Sequence, residues 1–190
     1  MKRPQLPWLA LALIALMVLP GCIVRSVHSW LRDDSIVYEE DLIGGWTGAD
    51  DKGGTVAMTF VRGATNNYIV QYSDKESHGI FEGRLAKFGT DYFMDFKPKE
   101  EPQGVDGLLL FPTHTVARLE ISSSTLVVRT LNYDEVKSAA KMERLRDLKY
   151  AWEGDELLIT SSSSDLQAFL LGLSRDSNLY APPLKLARRK

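Results

Sequence analysis

The chain has 190 residues, 44% of them hydrophobic and 25% charged, and its 23 Lys and Arg against 25 Asp and Glu leave a formal charge of −2. That is the composition of an ordinary folded domain, without the net basic field expected of a nucleic-acid binder. A single cysteine excludes an internal disulfide framework and every site built from several thiolates.

Met1, Lys2 and Arg3 precede an uncharged run holding Trp8, Leu9, Leu11, Leu13, Ile14, Leu16, Met17, Val18 and Leu19. A short basic start followed by an apolar stretch is the pattern of a secretory signal peptide. Two other readings compete. A transmembrane helix would need about 20 apolar residues, and Pro20-Gly21 breaks this run. A plain secretory signal would leave Cys22 incidental, yet the chain's only cysteine falls directly after Leu19-Pro20-Gly21.

Leu19-Pro20-Gly21-Cys22 resembles the lipobox of bacterial lipoproteins, although Pro20 stands where Ala or Ser is more usual. The resemblance implies a signal peptide at residues 1–21, cleavage ahead of Cys22, a diacylglycerol thioether on its sulfur and a further acyl chain, such as palmitate, on its amino group. One chain holds a protein to a bilayer only marginally, at about 0.8 kcal/mol per buried methylene, whereas two or more hold it firmly. Removing residues 1–21 takes away Lys2 and Arg3 and no acid, so the mature chain carries 21 basic and 25 acidic residues and a charge of −4. Ile23, rather than Asp, after the cysteine implies the outer membrane, facing the periplasm, in a two-membraned cell.

Residues 22–40 show no clear strand pattern and carry Arg25, Arg32, Asp33 and Asp34, as a tether between anchor and domain would. The alternative is a short helix around residues 28–32 lying on the domain. A β domain is expected over residues 41–181. Val56, Met58 and Phe60 alternate with Ala57, Thr59 and Val61; Tyr68, Val70 and Tyr72 with Ile69 and Gln71; Tyr92, Met94 and Phe96 with Phe93 and Asp95. This period of two predicts half-buried antiparallel strands. Gly, Asn and Asp between the runs suit hairpin turns. Strands are expected near residues 44–49, 55–62, 67–73, 79–88, 91–97, 113–122, 125–131, 147–152 and 156–161.

Asn132 with Glu135 predicts a capped helix running to about Leu145. Ser164 with Gln167 predicts a second over residues 165–173, with Leu166, Phe169, Leu170 and Leu173 on one face. Pro182-Pro183 is expected to end regular structure, leaving residues 182–190 as a basic tail that frays into solvent or rests on anionic head groups.

The fold expected is therefore mainly β: an antiparallel meander or barrel of about nine strands with two helices, one near the C-terminus. Gly44-Gly45-Trp46, entering the first strand, resembles the Gly-x-Trp opening of lipocalins, which implies an eight-stranded barrel followed by a helix. Residues 40–180 are also similar to a group of uncharacterised bacterial envelope lipoproteins, a likeness that implies location and architecture but no activity.

No nucleophile elbow, zinc-protease signature, phosphate loop or calcium loop occurs. His28, His78 and His114 are too scattered to suggest a metal site, and no catalytic residue, cofactor or metal is assigned. His114 faces the same way as Val116 and Arg118, so it reads either as a general base with a nearby carboxylate or as a histidine bonded to backbone. Trp46, Phe60, Tyr68, Tyr72, Phe81, Tyr92 and Phe96 either line a cavity for a hydrophobic ligand or fill the core. Leu108, Leu109, Leu110 and Phe111 form a short buried strand or an exposed apolar tip. The expected partners are a membrane through Cys22 and a hydrophobic small molecule or another envelope protein. Three functions follow in rank: a non-catalytic binding module, an assembly factor that docks an envelope protein, and, last, a hydrolase-type enzyme using His114.

Overall fold

The computed structural model describes residues 23–99, 113–145 and 147–189. The expected signal peptide at residues 1–21, Cys22 and the run at 108–111 lie outside the described residues.

Eight strands form a closed antiparallel barrel: β3 (Gly44–Ala49), β4 (Thr55–Arg62), β5 (Tyr68–Ser73), β6 (His78–Phe88), β7 (Asp91–Pro98), β8 (Thr115–Ile121), β9 (Thr125–Thr130) and β12 (Leu184–Arg188). The first seven follow one another as hairpins, and β12 closes the ring by pairing with both β9 and β3. Turn chemistry sets the register. Gly89, at φ +62°, makes the tight turn between β6 and β7, a left-handed conformation that side chains with a Cβ resist. In the β3–β4 turn, Asp50 Oδ1 accepts from the amides of Lys52 and Gly54.

The alternation read in the sequence becomes a filled interior. Trp46, Met58, Phe60, Tyr68, Val70, Leu85, Met94, Leu119, Leu126 and Leu186 pack there as one apolar cluster. Outward residues of β6, β7 and β8 are buried as well. Ala86, Phe93 and Val116 belong to a second core, covered by α1 (Tyr133–Lys141), α2 (Ser163–Gly172) and a small sheet of β1 (Arg25–Ser26), β11 (Glu156–Ile159) and β10 (Tyr150–Glu153). This layer, apart from β1, is an insertion between the last two barrel strands.

Both ends of the expected domain need correction. Residues 182–190 are not a frayed tail, because Leu184 and Leu186 alternate with Lys185 and Ala187 to make the closing strand. Without it β9 and β3 would each present an open edge. Pro182 and Pro183 sit just ahead of the strand, where no ladder donor is required. Gly48 keeps the seam tight, since a Cβ there would press on the Lys185 carbonyl oxygen.

At the other end, residues 23–37 dock on the domain through two short strands, bends and a 3-10 turn at Asp33–Ser35, with no helix at residues 28–32. β1 runs parallel to β11, β2 (Ile36–Val37) adds to β6, and Val24, Trp30 and Leu31 are buried. Gln167 explains a second correction. Its Oε1 accepts from the Arg32 amide and the Ser35 hydroxyl, so the N-cap of α2 is Ser162, which accepts from Asp165 N, and not Ser164. The first helix does begin at Asn132, whose side chain accepts from the amides of Asp134 and Glu135. It stops at Lys141, short of Leu145, where Glu143 turns to φ +55°.

Candidate functional site

One end of the barrel opens into a cavity of about 310 Å³ lined by Ile23, Met58, Val70, Tyr72, Phe81, Phe96, Thr115, Ala117, Val128, Thr130, Pro182 and Leu184. The register explains the grouping: Met58 lies opposite Tyr72, Val70 opposite Phe81, Phe96 opposite Thr115, Ala117 opposite Thr130, and Val128 opposite Leu184. These are inward positions of successive strands at one height along the barrel. The polar side-chain groups in the lining are hydroxyls. That of Tyr72 donates to Asp74 Oδ2 at 2.6 Å on the rim. Burial, helped by the Asp74 carboxylate, pushes the Tyr72 phenol above its ordinary range. Asp74 in turn is held well below the usual carboxylate range by the Tyr72 hydroxyl and by the amides of Glu76 and Ser77.

The opposite end is sealed. Trp46 donates from Nε1 to the Leu42 carbonyl at 2.9 Å, and the short 3-10 turn Glu40–Leu42 closes over it. Tyr68 is fully buried; its hydroxyl accepts from the Glu39 amide at 2.7 Å and donates to the Glu39 carbonyl at 3.0 Å. Burial pushes that phenol up to about 12. Tyr38 stacks on Tyr68 with ring centroids 5.1 Å apart, and Tyr92 donates to Glu39 Oε2 at 2.7 Å. Three cations sit on this aromatic floor: Arg62 over Tyr38, Lys87 over Tyr92 and Arg188 over Trp46.

The aromatic set picked from the sequence therefore divides by height. Tyr72, Phe81 and Phe96 stand in the wall of the cavity, while Trp46, Phe60, Tyr68 and Tyr92 pack toward the sealed end. Met58 and Val70 joined the lining without being singled out, although their strand alternation already turned them inward. No local signal marks Ile23, Pro182 or Leu184, which reach the mouth only through barrel closure and docking of the N-terminal segment.

His114 has a carboxylate partner. Its Nδ1 lies 2.8 Å from Asp95 Oδ2, with the histidine side chain 15% exposed and the aspartate 1%. Asp95 Oδ1 also accepts from the Trp30 amide at 2.9 Å. The backbones of Ser26 and His114 exchange two hydrogen bonds of 2.9 Å. The Ser26 hydroxyl donates to the His28 carbonyl at 2.6 Å rather than to the imidazole. His114, Val116 and Arg118 do share a face, and it is the outer one. Arg118 pairs with Asp91 at 2.5 Å, and Asp91 also meets Arg175. The pair of His114 and Asp95 thus lies across the strand wall from the cavity and ties the N-terminal segment to the barrel.

Among the described residues no group of three or more His, Cys, Asp or Glu side chains is placed to hold a metal ion, and no helix is long and apolar enough to cross a membrane. No family model, curated protein or solved structure matches this chain.

Proposed function

We propose that this chain is a lipid-anchored protein of the bacterial envelope, on the periplasmic side of an outer membrane, whose barrel binds a hydrophobic small molecule without chemistry. One observation carries the reading: the apolar mouth cavity is bordered by Ile23, the residue that follows the lipobox cysteine. A barrel sealed at one end by Trp46 and Tyr68 and open at the other offers a concave, mostly apolar site with a few hydroxyls, the usual character of a small-ligand pocket. The Gly44-Gly45-Trp46 likeness to lipocalins is in keeping with it. Intact mass analysis of the protein from its own membrane should find Cys22 acylated and residues 1–21 absent; a full-length chain with a free thiol would refute the anchor. Native mass spectrometry should find an apolar molecule that is lost when Thr115→Phe fills the mouth. Protein that never carries such a molecule, and whose cavity holds no acyl chain of its own, would refute the binding role.

A second reading, a docking factor for another envelope protein, is favoured by β10, the outer strand of the small sheet, where Trp152 is 40% exposed. An unpaired edge can accept a strand from a partner. Trp152→Pro, which would remove an outward-facing N–H from that edge and leave the ladder to β11 intact, should then abolish co-purification of the partner while leaving the barrel folded. The enzymatic reading ranks last, because the His114 imidazole is engaged with Asp95 on the side of the wall away from the cavity.

A further inference from the structure

The mouth cavity has a polarity along its depth. Met58, Val70, Phe96, Ala117 and Val128 line its inner part, none more than 8% exposed, whereas Ile23 at the opening is 57% exposed and Thr130 and Pro182 are exposed beside it. No charged side chain occurs in the described lining, and the Tyr72 hydroxyl is already committed to Asp74. A carboxylate or phosphate carried to the bottom would lose its hydration with no cation to replace it, which disfavours burying a charged head there. The cations seated on rings inside the barrel, Lys87 and Arg188, belong to the sealed end, at the level of Tyr92 and Trp46.

From this polarity we infer that the cavity takes a single alkyl chain tail-first and leaves its polar head at the rim beside Ile23. The inference rests on the mouth being a binding site, as proposed above. Its size agrees, since about 310 Å³ lies near the lower end of the roughly 300–1,000 Å³ of small-molecule pockets and suits one chain rather than a two-chain lipid. Two sources share this chemistry. One is an acyl chain of a neighbouring membrane lipid. The other is a chain on Cys22 itself, one peptide unit and about 3.8 Å in Cα spacing from Ile23, which would enter as an intramolecular ligand at high effective concentration.

The test feeds cells expressing the full-length protein a fatty acid bearing a photoreactive diazirine at its terminal carbon or, in a parallel culture, near its carboxyl end. Membranes are irradiated and the cross-linked peptides are mapped by mass spectrometry. Tail-first entry predicts that the terminal probe marks peptides containing Val70, Phe96 or Val128, and that the head-proximal probe marks those of Ile23, Thr130 or Pro182. A bond joining the Cys22 peptide to the deep wall identifies the protein's own chain; a phospholipid adduct there identifies a neighbouring lipid. Either supports the inference, as does loss of the deep adducts in Thr115→Phe with the fold retained by circular dichroism. The reverse depth order overturns tail-first entry. A wall free of adducts overturns it too, and native mass spectrometry then separates the cases: an apolar molecule still bound leaves the binding role standing, and none removes both.

Discussion

The Arg188 guanidinium lies over the Trp46 ring, 4.3 Å from its centroid, and so joins the first and last strands of the barrel. The same group donates to the backbone carbonyls of Asp41, Ile43 and Ser123. One side chain thereby fastens the closing strand, the 3-10 cover and the β8–β9 turn. Arg188→Ala should cost about 2 to 3 kcal/mol, from a lost cation–π contact and charge-assisted bonds to carbonyls left without that donor. Urea unfolding measures it. Arg188→Lys should recover only part, because an ammonium cannot fork across three acceptors.

Asp95 offers a second test, because it is buried and holds both the Trp30 amide and the His114 ring. Asp95→Ala should destabilise the protein by about 2 to 3 kcal/mol by leaving those donors unpaired. It should also raise amide exchange at Trp30 and open residues 23–31 to protease, while His114→Ala should do the same more weakly. Unchanged exchange at Trp30 in Asp95→Ala would refute the clamp.

Alkaline pH probes the sealed end. The folded-state pKa of Tyr68, raised by burial to about 12, lies above the value near 10 of an unfolded tyrosine. Its neutral phenol therefore contributes stability that is whole below about pH 10 and is lost as the pH climbs toward 12. Tyr68→Phe should lower stability at neutral pH, through its lost bonds to Glu39, and should weaken the decline on the alkaline side. Denaturant midpoints measured between pH 8 and 11 decide the point.

Asp74 works in the opposite direction at the rim. Its folded pKa is depressed by the Tyr72 hydroxyl and neighbouring amides, so its contribution is present above the unfolded value, about 3.9, and fades as pH falls below it. Asp74→Asn should flatten the acid side of the stability profile below about pH 4. Melting temperatures of the two proteins across pH 2 to 7 would show it, and parallel acid limbs would refute the assignment.

How much of this was legible beforehand follows from the range of the interactions. The hairpins from Gly44 to Thr130 could be read because alternation and turn residues act within a few positions, and β3, β4 and β9 fall within a residue of expectation. The Asn132 cap was legible for the same reason. Strand parity also told which way Tyr72, Phe81 and Phe96 face. Parity says nothing of height along a barrel axis, so it could not separate those wall residues from Trp46, Phe60, Tyr68 and Tyr92 at the sealed end.

The amino-acid sequence by itself determined the class of fold, the boundaries of the hairpin strands from β3 to β7 and of β9 to within a residue, and the inward face of those strands, since backbone preference and burial pattern are written locally. Tertiary structure alone decided that residues after Pro183 close the ring, that Trp30 and His114 meet at Asp95, and that Ile23 borders the cavity. Each of those depends on segments far apart in the chain, whose pairing becomes favourable only once the intervening hairpins have set the distance between them.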